Sequence, residues 1–130
     1  MNNFRYRIYF EDTDAGGIVY YANYLKFYER ARTDYLRMNE IYQNELALTQ
    51  NIGFVVRRVE AEYFSPARLD DEITVSVKFL EVSNLKVKIF QEIKIDNKVI
   101  SSANIDLVCI NTKTLKPNKI PEHIKNIFYV

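Results

Sequence analysis

The sequence predicts an α+β domain in which a five-stranded antiparallel sheet wraps one long helix. Two observations and their order carry this expectation. Residues near the start and through the second half of the chain alternate apolar with polar, the period of half-buried strands. A single long stretch between them repeats at helical spacing. Neither element is stable with its apolar side in water, so the helix must bury its face against one face of the sheet.

Phe4, Tyr6, Ile8 and Phe10 alternate with Arg5, Arg7 and Tyr9, which predicts a first strand over Phe4–Phe10. Tyr21, Tyr24, Leu25, Tyr28, Ala31 and Tyr35 then fall at helical spacing, with Asn23, Lys26, Glu29, Arg30, Thr33, Asp34 and Arg37 on the other faces. The spacing predicts a helix over 21–38. A weaker helical stretch covers Tyr42 to Gln50 and is expected to end at Gly53. From Phe54 the period becomes two, and Val55, Val59, Ala61 and Tyr63 alternate with Arg58, Glu60 and Glu62 until Ser65-Pro66 stops the ladder. Ile73, Val75, Val77 and Phe79 mark the next strand, and Leu85, Val87, Ile89, Ile93 and Ile95 another. Asp96-Asn97 joins the latter to a last strand from Val99 to Ile110. These four later strands are expected as consecutive antiparallel hairpins. Pro121 with Glu122, Ile124, Ile127 and Phe128 predicts a short terminal helix. Such a sheet leaves edge strands and apolar surface uncovered, so a dimer at minimum is expected.

A length of 130 residues, 48% apolar and 27% charged, fits one globular domain over residues 1–130 and excludes disorder, collagen and coiled coil as descriptions of the whole. Eighteen Lys and Arg against 17 Asp and Glu leave a net charge of +1, so no broad field draws the chain to nucleic acid or anionic lipid. No window approaches the roughly 18 consecutive apolar residues of a membrane span. Acidic residues stand where a secretory apolar region would run, and the single Cys109 cannot form an internal disulfide. A soluble cytoplasmic protein is the expectation.

The only His, His123, and the only Cys, Cys109, have no pattern pairing them for nucleophilic catalysis. Cys109 reads as a packed strand residue and His123 as an exposed helix residue. Metal-ligand spacing is absent, as are the glycine patterns that cradle nucleotide phosphates. What remains is Glu11-Asp12-Thr13-Asp14-Ala15-Gly16-Gly17-Ile18-Val19-Tyr20-Tyr21, between the first strand and the long helix. Two of the chain's three glycines are adjacent here. Amides at a helix start lack intrahelical partners and can polarise a carbonyl oxygen, while Gly16 and Gly17 admit it closely. A carboxylate such as Asp14 can then attack the carbonyl carbon or activate water, which is acyl transfer without His or Cys. The same residue types also serve an ordinary Asp-capped turn before a helix, and spacing does not choose between the two.

Residues 9 to 32, Y-F-E-D-T-D-A-G-G-I-V-Y-Y-A-N-Y-L-K-F-Y-E-R-A-R, resemble the signature of hotdog-fold acyl-CoA thioesterases, with YbgC-like proteins and 4-hydroxybenzoyl-CoA thioesterases the nearest groups. Y-F-S-P-A-R-L-D-D at 63 to 71 resembles a second segment of that family. The resemblance implies a hotdog fold and hydrolysis of acyl-CoA to free acid and CoA; no cofactor is expected, and the absent ligand spacing predicts no metal. It makes Asp14 the catalytic carboxylate, as nucleophile or general base, and the Tyr21 backbone N–H the oxyanion donor. Gly16, Gly17, Ile18 and Tyr24 are then substrate-binding. Family sites lie at a dimer interface, and dimers often pair again into a homotetramer.

Many YbgC-like proteins have His where this chain has Tyr21; a backbone oxyanion contact tolerates that change. The hydroxybenzoyl-type members hold the nucleotide end of CoA with a basic run, and the corresponding Val82-Ser83-Asn84-Leu85-Lys86 is less basic. Lys86, Lys88, Arg57, Arg58 and Arg68 therefore stand as phosphate-contact candidates against a reading as plain surface charge. Hydratase chemistry on this fold usually calls for a His base, and no His precedes His123. Acyl carrier protein is an alternative substrate carrier. A binding or scaffolding module with little turnover is the alternative function.

Overall fold

The computed structural model describes residues 2–129. It is the expected α+β arrangement: a five-stranded antiparallel sheet around a long helix, with the core between them.

Strand β1, Asn2–Arg7, pairs with β3, Glu72–Val82, in the register Phe4↔Val75 and Tyr6↔Ile73. It ends three residues before the expected Phe10. The Asp12 carboxylate accepts the Tyr9 N–H at 2.8 Å and pulls Phe10–Asp12 into a 3₁₀ turn, which leaves Phe10 80% exposed.

The helix over 21–38 opens with a 3₁₀ turn, Tyr21–Asn23, and continues as α1, Tyr24–Met38. Its buried face is Tyr24, Phe27, Tyr28, Ala31, Tyr35 and Leu36. Phe27 therefore belongs to the face, whereas Tyr21 and Leu25, expected on it, are exposed. The 3₁₀ turn rotates Tyr21 out of phase, whereas Leu25 lies within about 20° of the buried Leu36 around the helix, so its exposure comes from its place in the first turn and not from helical phase. Glu40, at φ 62°, ends the helix: the Ile41 N–H donates to Leu36 O and the Glu40 N–H to Arg37 O, each at 2.9 Å, a Schellman pattern.

Helix α2 is Gln43–Gln50. Asn51, left-handed at φ 55°, stops it rather than the expected Gly53. Gly53 already lies in β2, Ile52–Tyr63, where a Cβ would come within 3.0 Å of Thr112 Cγ2. That glycine serves close packing rather than a helix end.

Strands β3, β4 (Lys86–Ile95) and β5 (Lys98–Asn111) are consecutive hairpin neighbours, but the sheet order is β1-β3-β4-β5-β2. Strand β2 thus pairs with β5, from Ile52↔Asn111 to Tyr63↔Ser101, and not with β3 as expected. Residues 64 to 71 carry the chain across to the far side of the sheet, a path a tight turn cannot provide. Asp96 and Asn97, at φ 50° and 66°, make the expected tight turn between β4 and β5. Among the described residues the outer edge of β2 is unpaired, and the strand displays Val55, Val56 and Val59 at 43%, 47% and 39% exposure.

Polar groups inside the core are matched. Gln91 is fully buried: its Nε2 donates to Tyr28 O at 3.1 Å and Ser76 O at 3.2 Å, and its Oε1 accepts from Arg32 Nη1 at 3.1 Å. The Tyr28 hydroxyl donates to Ser101 Oγ at 2.6 Å, which donates to Glu62 O at 2.8 Å. Cys109 is buried, which pushes its thiol up to about 11, and His123 is exposed in α3, Glu122–Lys125, as the sequence implied.

Burial raises the Tyr28 phenol well above its ordinary value, and burial followed by the hydrogen bond to Asp34 raises Tyr6. Both hold their protons more tightly folded than unfolded, so the stability they contribute is intact below about pH 10 and is lost as pH climbs past that value. A phenol that titrates only in the unfolded chain costs about 1.4 kcal/mol per pH unit there. Urea midpoints measured from pH 8 upward are expected to hold to about pH 10 and then fall, and Tyr28→Phe to shallow that fall.

Candidate active site

The segment between β1 and α1 is anchored by Asp12, which is 7% exposed. Its side chain holds Tyr9, and its backbone carbonyl accepts the Tyr20 N–H at 3.2 Å and Asn23 Nδ2 at 2.9 Å. One residue therefore ties the end of β1 to the start of the helix.

From that anchor the chain makes a small hairpin, closed by an antiparallel bridge between Thr13 and Val19. Asp14 begins its turn. The Asp14 N–H donates to Ile18 O at 2.9 Å, its carbonyl accepts the Gly17 N–H at 3.0 Å, and its Oδ1 accepts the Gly16 N–H at 2.8 Å. Gly17 sits at φ 78°, where an L side chain is strained, and a Cβ on Gly16 would press on Asp14 Oδ1 at 3.3 Å. The glycine pair is what lets the backbone fold back on the carboxylate. Asp14 itself is exposed, and among the described residues its other oxygen has no hydrogen-bond partner.

The hairpin is clasped by the crossover after β2. Val19 donates to Ala67 O at 2.9 Å, Ile18 bridges Arg68, and the Tyr24 hydroxyl accepts the Ala67 N–H at 2.9 Å. The two segments singled out in the sequence, 9–32 and 63–71, thus form one structural unit. Tyr24 is 4% exposed and stacks at 5.2 Å on Tyr63, whose ring also lies 6.2 Å from Tyr21; Tyr21 in turn leans on Tyr20 at 4.9 Å.

Asp14, Gly16, Gly17 and Ile18 are therefore brought together in one turn, and Tyr21 and Tyr24 are tethered to it through Asp12 and Ala67. The Tyr21 N–H opens the 3₁₀ turn, where an amide has no intrahelical acceptor. Of the basic candidates, Arg68 adjoins the hairpin, whereas Arg58 pairs with Glu60 at 2.9 Å on the outer sheet surface. Asp12, Asn23, Tyr63 and Ala67 also build the site, although sequence reasoning gave none of them a role there. The signal for Tyr63 and Ala67 was the second motif; for Asp12 and Asn23 there was none beyond residue type.

An apolar cavity of about 130 Å³ lies farther along α1, between its second half and the sheet, and none of these site residues lines it. Within one chain Asp14 and Tyr21 are both exposed residues.

A family model described as the thioesterase-like superfamily matches residues 8–128. The chain belongs to that superfamily. The acyl-CoA thioester hydrolase YbgC of Escherichia coli O6:H1 is 39% identical to it, over 91% of this chain and 88% of that protein. The acyl-CoA thioesterase YbgC of Haemophilus influenzae is 37% identical, over 98% and 93%. Among solved structures, a probable thioesterase from Bartonella henselae superposes with a TM-score of 0.88 at 30% identity, covering 92% of this chain and 98% of that one. The hotdog fold of the thioesterase-like superfamily thus accounts for the whole architecture, including β2 at the sheet edge.

Proposed function

We propose that this protein hydrolyses acyl-CoA thioesters to free acid and CoA thiol. The support for the reading is the Asp14 turn joined through Asp12 to the start of the long helix, in a superfamily member 39% identical to an acyl-CoA thioester hydrolase. In the reaction the thioester carbonyl oxygen accepts from the Tyr21 N–H, which stabilises the negative charge that gathers there. Asp14 either attacks the carbonyl carbon itself or takes a proton from the water that does. With water as nucleophile a C–O bond forms, the C–S bond breaks, and the proton held on Asp14 passes to the departing thiolate. With Asp14 as nucleophile the C–S bond breaks to give an acyl–Asp14 anhydride, which water then hydrolyses to the free acid, its proton neutralising the CoA thiolate. Gly16, Gly17 and Ile18 form the approach, and Tyr24 backs it. A carrier-protein thioester presents the same reacting atoms and is the alternative donor. The buried free Cys109 accords with a cytoplasmic location.

The working unit in this reading is a dimer, with a tetramer as its doubled form. The open β2 edge is 12 residues long and carries exposed valines, a surface that self-pairing across a two-fold axis covers. Thiol release from a panel of short, long and aromatic acyl-CoAs, with sedimentation of the same preparation, tests both parts. Turnover by a species of two or four chains is the expected result. No turnover on any CoA or carrier-protein thioester leaves a binding module, and a catalytically active monomer removes the dimer.

A further inference from the structure

We propose that Asn23 is a positioning residue for thioester hydrolysis: its side-chain amide sets the offset between the Asp14 carboxylate and the Tyr21 N–H, and with it the rate of the chemical step rather than the affinity for substrate. This rests on the thioesterase reading above and names the residue that couples its two reacting groups.

Asn23 stands immediately before α1, the position where asparagine ordinarily caps a helix by accepting a backbone amide of the first turn. It makes no such bond. Its Nδ2 instead donates back along 11 residues to Asp12 O at 2.9 Å. A side chain suited to stabilising its own helix is thus committed to the segment that carries Asp14. The same carbonyl accepts the Tyr20 N–H at 3.2 Å, the long end of the ordinary range. The Asn23 bond is therefore the shorter of the two that join the helix start to Asp12 O.

The backbone of Asn23 governs the other group. Its N–H donates to Tyr20 O at 2.8 Å. Tyr20 O and the Tyr21 N–H belong to one planar trans peptide and point in opposite directions, so holding the carbonyl toward Asn23 aims the N–H away from the helix. One residue thus orients the oxyanion donor through its main chain and holds the carboxylate segment through its side chain. The bonds that shape the hairpin, Thr13 with Val19, Asp14 with Gly16 and Val19 with Ala67, do not involve the Asn23 side chain. Its loss therefore leaves the turn folded and frees the offset between the two groups. Reacting groups misplaced by about 1 Å lose on the order of 10²-fold in rate.

The test measures kcat, KM and urea midpoints for Asn23→Ala, Asn23→Asp and Asn23→Gln on the acyl-CoA that wild type turns over fastest. Asn23→Asp is the discriminating change: it keeps the shape, supplies a carboxylate suited to a helix start, and removes the donor. A merely structural role moves activity and stability together, whereas a positioning role separates them. Asn23→Asp is expected to lower kcat by about 10²-fold with KM within about 2-fold, and to have a urea midpoint no lower than that of Asn23→Ala. Asn23→Ala is expected to lose about 10-fold in kcat, and Asn23→Gln, which retains the amide donor, to recover part of that loss. Either Asn23→Ala or Asn23→Asp decides if the other fails to fold. A kcat within about 2-fold of wild type in both overturns the proposal, as does a loss confined to KM or one that tracks the urea midpoint across the three variants. Absence of turnover by wild type on every thioester overturns this proposal together with the thioesterase reading.

Discussion

Asp14→Asn is expected to lower kcat by about 10²–10⁴-fold, the span typical of losing a positioned acid–base group. The substitution is chosen to leave the turn in place. Among the described residues the one side-chain bond Asp14 makes is Oδ1 accepting from the Gly16 N–H, and an amide oxygen accepts it equally. The side chain is exposed, so nothing in the core registers the change, and unfolding free energy is expected to stay within about 0.5 kcal/mol. Loss of thiol release with an unchanged urea midpoint identifies the carboxylate as the reacting group. Equal activity in the two proteins removes Asp14 from the mechanism.

Gln91→Leu is expected to cost about 3 kcal/mol of stability, although leucine is close to glutamine in volume and no large cavity follows. The cost comes from orphaned partners. Gln91 joins α1 to the sheet by donating to Tyr28 O and Ser76 O and by accepting from Arg32 Nη1. Burial already works against the charged form of Arg32, and among the described residues no carboxylate lies within ion-pair distance of it. Deleting its acceptor leaves a desolvated guanidinium N–H with nothing to replace water. A change under about 1 kcal/mol in urea unfolding would mean that Arg32 swings out to solvent and that the glutamine bridge is dispensable.

Much of the fold was legible because it rests on local periodicity. The helix over 21–38, the β4–β5 turn at Asp96-Asn97 and the existence of every strand all follow from residue spacing. Where reading failed, a side chain or a distant element intervened. Alternation through Phe10 continues the strand pattern, but the Asp12 carboxylate captures Tyr9 and bends the chain first. The alternation in β2 identifies a strand without identifying its neighbour, and pairing with β5 is decided by the long crossover after Tyr63. Helical phase was read from the tyrosines, so Phe27 was overlooked, and Leu25, at nearly the angular position of the buried Leu36, is left uncovered in the first turn. At the site, the residue types around Asp14 suggested acyl transfer equally with a plain capped turn. Its supports at Asn23 and Ala67 depend on contacts that spacing does not encode.

The clasp between the hairpin and the crossover joins strands of chain about fifty residues apart, through Val19 with Ala67 and Ile18 with Arg68. Contacts of such sequence separation close late, after the intervening chain has surrendered its entropy. The Asp14 turn closes through its own local bonds, and the clasp that fastens it to the crossover is expected to form only once β2 has docked on β5. During refolding, secondary structure should return before catalysis does. A nick or an insertion between residues 64 and 71 is then expected to loosen the Asp14 turn and lower thiol release while the far-UV circular dichroism of the helix and hairpins persists.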